Sequence, residues 1–291
     1  MLATPHLGCS SHTYISIPRT VERAISVGMQ QTGKDLFRNN PKKNNDTNKN
    51  NSQSIIREMG LDSKYLKPLS FFRKRIAYAN AFMTDFQVPT NTAAFLSEES
   101  LYPHRVVISD IDNSRSKNKK FIVASFETEK QESILESILY QKGIEMKEGS
   151  LFRKSEDYLL ISNALDALGW KKVFVDVRDL IPFPKISIPS LTKISSDLCL
   201  KAKFDKALKH KFETVNQGDV VTFSSNELEK LLCPFSRDSI PLIPFGHTVM
   251  VANAKNAVYR KINKGGEIVV NHLAEEMITD MLKWSLDTSI E

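Results

Sequence analysis

A mixed sheet flanked by helices, in a single main α/β or α+β domain, is the fold class this sequence predicts. Three observations carry it. Segments with apolar residues at helical spacing alternate with short β-rich runs. Several helical segments start on serine or stop on glycine. No internal repeat breaks the alternation. At 291 residues, 41% hydrophobic and 25% charged, the chain can bury a substantial core.

The elements follow in order. Residues 1–37 read as an N-terminal helical segment, because Pro18 suits a first helical turn and Val21, Ala24 and Ile25 share a face. Residues 38–54, RNNPKKNNDTNKNNSQS, lack any aliphatic or aromatic residue to offset the entropy of ordering, and read as a disordered loop. The main domain spans 55–291. Within it, 70–86 reads as a helix capped by Ser70, with Phe72, Ile76, Ala79 and Met83 on one face. Residues 105–130 read as a hairpin, and 130–143 as a helix stopped by Gly143. A helix over 156–169 stops at Gly169, and VFVDV forms a buried strand before Pro182, Pro184 and Pro189. Helix 195–213, strand 218–223 and a capped helix over 224–232 follow. GHTVMVAN and NAVYRKIN read as a second hairpin, EIVV as a short strand, and 271–286 as an amphipathic helix.

Charge is unevenly spread. Between Lys34 and Arg75 stand eleven Lys/Arg against four acids, a net +7, while the whole chain is +6. A basic stretch on a nearly neutral body points to a polyanionic partner, nucleic acid first. Lys42, Lys43, Arg73, Lys74 and Arg75 are its candidate contacts. No apolar run reaches the roughly 18–20 residues that span a bilayer. MLATPHLGCSSHTYISIPRT has no secretory-signal pattern, and three scattered cysteines give no disulfide framework, so a cytoplasmic location is expected.

The segment RVVISDIDNSRSKNKKFIVASFETEK, 105–130, carries the sharpest chemical reading. Asp110 ends its first run, and Glu127 and Glu129 share one face at the end of the second, just before a helix. This arrangement resembles the core of restriction-endonuclease-like nucleases of the PD-(D/E)xK type, in the variant with glutamate in place of lysine. IPLIPFG, 240–246, resembles a late segment of the same enzymes. The resemblance implies catalytic Asp110, Glu127 and Glu129, with Asp110 and Glu127 binding Mg²⁺ and Glu129 acting as base. Register decides whether the acids meet. A turn near Asn118 sets Asp110 opposite Glu127, whereas a turn at Ser116 offsets them by about five residues, or about 17 Å. The polar run NSRSKNK favours the second register.

Two alternatives stand beside it. His247 and Asn263, with Cys9 as nucleophile, resemble the constellation of papain-like cysteine hydrolases, which implies a host-directed effector enzyme. Cys9 departs from the pattern, because the next helix starts nine residues on. The third reading is a non-catalytic interaction protein. Finger-like zinc spacing, a Walker lysine motif, G-x-G-x-x-G and G-x-S-x-G are all missing from the sequence. Lys264–Gly265–Gly266 reads as an ordinary turn.

Overall fold

A computed structural model describes residues 4–8, 55–82, 85, 88–108, 121–138, 154–181, 197–216, 219–233 and 246–288. The segments 18–37 and 38–54, and the residues Cys9, Lys42, Lys43 and Asp110, lie outside them. The described residues form one α/β domain around a five-stranded mixed sheet, as the sequence predicts. Its strands are β1 (Ile76–Asn80), β2 (Pro103–Val106), β3 (Ile122–Glu127), β4 (Lys171–Val175) and β5 (Thr222–Ser224), in the order β1-β4-β3-β2-β5. β1 and β4 run parallel, and the other pairs are antiparallel.

The helices are α1 (Ile55–Leu61), α2 (Ser63–Ser70), α3 (Thr90–Ala93), α4 (Lys154–Asp166), α5 (Asp197–Thr214), α6 (Ser225–Leu232), α7 (Gly246–Met250), α8 (Ala257–Asn263) and α9 (Glu267–Thr288). One hydrophobic cluster joins Leu61 and Leu66 from α1 and α2 to Phe95, Ile161 of α4 and Trp170. A second joins Tyr78, Phe126, Phe174 and Phe223 of the sheet to Phe204, Leu228, Leu232 and Val269 of α5, α6 and α9. All five residues of β4 are buried. A strand covered on both faces shows no polar–apolar alternation.

Local signals hold where they are strong. Ser224 caps α6 in a full capping box with Glu227. Gly169 ends α4's turn at φ +78°, and a Cβ there would sit 3.1 Å from the Lys130 backbone nitrogen.

Three expectations are corrected. The helix placed over 70–86 is the end of α2 followed by strand β1, with Ala77 through Asn80 buried. Phe72, Ile76 and Ala79 happen to fit helical spacing, but parallel pairing with KKVFV, from Ile76↔Lys171 to Asn80↔Val175, decides for strand. The second hairpin is instead α7 and α8. The Asn256 side chain accepts from Tyr259 N and starts α8, so a cap outweighs the β-branched composition. EIVV opens α9, whose Val269 is fully buried in the core.

Candidate functional site

β1 delivers the chain to the carboxyl edge of the sheet, and a tight turn follows it. Phe82 adopts φ 56°, a conformation that a bulky side chain enters only when its surroundings enforce it. They do so here: Phe82 N donates to Leu232 O at 3.0 Å, its ring is fully buried, and the Arg178 guanidinium lies 5.1 Å from the ring centroid. Three residues later stands Asp85, its side chain only 1% exposed.

His247 reaches this carboxylate from 162 residues away. It is the second residue of α7, which packs against β1, α9 and the Lys264–Gly266 turn. His247 Nδ1 lies 2.9 Å from Asp85 Oδ2 and 3.1 Å from Oδ1, and the His247 backbone N–H also donates to Oδ2. Val88 N donates to Oδ1 at 2.8 Å, and Asn80 Nδ2 donates to Oδ2 at 3.2 Å. An ionised carboxylate only accepts, so Nδ1 carries the ring proton and Nε2 of a neutral ring keeps its lone pair. The His247 side chain is 24% exposed, and no described residue hydrogen-bonds its Nε2. A buried acid thus fixes the tautomer and orientation of a half-open imidazole, which is the arrangement of a general base.

The tight turn beneath α7 explains its position. A Cβ on Gly265 would lie 1.9 Å from Leu180 O, and one on Gly266 would lie 1.6 Å from Val249 O. Only glycine lets the backbone approach Leu180 and α7 this closely. The turn that reads as ordinary in sequence is therefore the seat of the histidine helix.

The other nominated residues that are described make no hydrogen bond to this pair. Arg105 pairs with Glu127 across β2 and β3, and donates to it at 2.9 Å in a partly exposed ion pair. Glu129 is exposed, and its backbone carbonyl accepts from the Tyr102 hydroxyl at 2.9 Å. Among the described residues no group of three or more His, Cys, Asp or Glu is placed to hold a metal ion. The Asn263 amide is engaged elsewhere: its Oδ1 accepts from the Thr248 hydroxyl and its Nδ2 donates to Asn253 O.

Three described members of the basic stretch have partners within the fold. Arg73 pairs with Asp280 at 2.9 Å and Lys74 with Glu276 at 3.1 Å, tying α9 to the body. Arg75 donates to Leu69 O at 3.0 Å and Gly169 O at 2.8 Å, and also to Leu168 O. It thereby satisfies carbonyls at helix C-termini, where a cation is favoured. Neither Asp85 nor Asn80 has a sequence signature. His247 does stand out in FGHTV, but its partner is an acid that no spacing rule connects to it.

Residues 1–98, about a third of the chain, match the family described as "Putative serine esterase (DUF676)". No curated protein and no solved structure matches the chain. The esterase match includes Asp85 and overturns the nuclease reading. With that reading go the PD-(D/E)xK resemblance, the magnesium assignment and the DNA-binding role. The cysteine-hydrolase and non-catalytic alternatives gain nothing from the match. No described helix is long and apolar enough to cross a membrane.

Proposed function

We propose that the chain carries the acid–base half of an ester-hydrolysing site of the serine-esterase kind. The observation that carries this is the buried Asp85 carboxylate gripping Nδ1 of His247, whose Nε2 no described residue hydrogen-bonds. In this chemistry Nε2 takes the proton of an attacking hydroxyl as its oxygen bonds to the ester carbonyl carbon. The carbonyl electrons move to oxygen, then return as the alkoxide leaves and collects the proton from Nε2. Asp85 stays ionised and stabilises the imidazolium. The serine-esterase match over residues 1–98 supports the substrate class.

The sequence contains no G-x-S-x-G, and no described hydroxyl bonds Nε2. The pair supplies the acid and the base, and the attacking hydroxyl is that of a serine or of water. Hydrolysis of short-chain p-nitrophenyl esters by the full chain tests the pair. His247→Ala and Asp85→Asn should each lower kcat on the order of 10³-fold or more with folding intact. Unchanged turnover in both removes the reading. A fluorophosphonate probe then separates the two nucleophiles: covalent labelling identifies a serine, and hydrolysis without labelling identifies water.

A further inference from the structure

Asn80 is the last residue of β1 and is fully buried. Its backbone carbonyl accepts from the Thr90 hydroxyl, a bond that any residue at this position would provide. Its side chain is different. Nδ2 donates to Asp85 Oδ2 at 3.2 Å, while Oδ1 is buried with no hydrogen-bond partner. The orientation of the amide is set by chemistry, because the flipped form would press a carbonyl oxygen against a carboxylate. A buried carbonyl without a donor is costly, so the amide is expensive to keep. What it supplies in return is one N–H aimed at the acid of the pair.

We propose that Asn80 is the positioning residue of the Asp85–His247 pair, holding the carboxylate in the orientation that receives the imidazole N–H. This rests on the hydrolase reading above. A donor to the charged form of a carboxyl favours ionisation. Asn80 acts alongside the backbone donors Val88 N and His247 N, which no side-chain substitution removes. It is the one of these three donors that belongs to a side chain.

Two variants test it. Asn80→Leu keeps the volume and deletes the donor. With folding confirmed by thermal unfolding, kcat should fall roughly ten- to a hundred-fold, KM should stay unchanged, and the acid limb of the kcat–pH profile should move to higher pH. Asn80→Asp can donate only while a proton is shared with Asp85. Its activity should therefore persist only between the acid limb and the pH at which that proton leaves, a narrowing that a purely structural role would not produce. The downfield proton resonance of the His247 ring N–H gives a readout that needs no substrate. It should be lost in Asp85→Asn, and shifted or broadened in both Asn80 variants.

An unchanged resonance and unchanged pH profile in folded Asn80→Leu overturn the assignment. If Asp85→Asn and His247→Ala also leave turnover intact, or the resonance does not depend on Asp85, the pair itself has failed. If those two variants lose activity while Asn80→Leu does not, only the role of Asn80 is wrong.

Discussion

Glu229 shows how burial can dominate a titration. Oε1 accepts from Asn91 Nδ2 at 2.9 Å, while Oε2 has no hydrogen-bond partner. Burial pushes its carboxyl up to about 7 from an ordinary 4.5, against the opposing pull of the Asn91 bond. The folded state then holds this proton more tightly than the unfolded chain, so its contribution to stability falls as pH rises from about 4.5 to about 7. Glu229→Gln keeps the Asn91 acceptor and removes the ionisation. The variant should be more stable than the parent above pH 7, by on the order of 1–3 kcal/mol, and the gap should close toward pH 4.5. Urea midpoints at several pH values measure this, and a gap that widens on acidification contradicts it. In the sequence Glu229 is one acid of NELEKLL, and nothing local marks it as the buried one.

At the level of elements, α7 is five residues long and cannot hold its own geometry in isolation. Its position comes from the glycine turn on one side and the Asp85 carboxylate on the other. Gly266→Ala would force a Cβ into Val249 O, so the turn must move. The expected result is a lower melting temperature together with loss of ester hydrolysis, because His247 moves with α7. Retained activity with an unchanged melting temperature would show that the turn does not seat the helix. α9 is fastened differently, through Arg73–Asp280, Lys74–Glu276 and Lys171–Glu276. Arg73 and Lys74, which read as polyanion contacts in sequence, thus have acidic partners on α9.

Across the whole molecule, one buried charge links three elements of the two layers. Lys172 of β4 is fully buried, with Nζ 2.6 Å from Asp166 Oδ1, at the end of α4, and 2.8 Å from His104 Nε2 on β2. It also lies 3.9 Å from the centroid of the Phe95 ring. His104 Nδ1 donates to Tyr102 O, which leaves Nε2 as the acceptor for the lysine, and burial lowers the basicity of this histidine. Burial brings Lys172 down to about 8 from 10.5, although Asp166 pulls the other way. Its folded pKa lies below the unfolded value, so stability should rise with pH between about 8 and 10.5. Lys172→Met should abolish that rise and cost about 3–5 kcal/mol, because the buried Asp166 loses its lysine and keeps only His104 Nε2, 3.4 Å away. Lys172→Met combined with Asp166→Leu should recover much of the loss in denaturant unfolding. No recovery would mean that the pair holds the layers by more than mutual compensation.

What could be read from the chain alone is what neighbouring residues decide. The α/β class, the Ser224 cap, the Gly169 stop and helix α5 follow from spacings of a few residues, where propensity and capping act. The same local rules mislead at Ile76–Asn80 and at EIVV, because tertiary pairing and core packing outweigh them. Asp85, Asn80 and His247 meet only once β1 and α7 are packed together, across 162 residues of chain. Burial of Lys172 likewise depends on which strand lies beside β4. Local pattern reports the energy of adjacent residues. A site built from distant ones depends on the packing that brings them into contact, and that is settled only by the folded molecule.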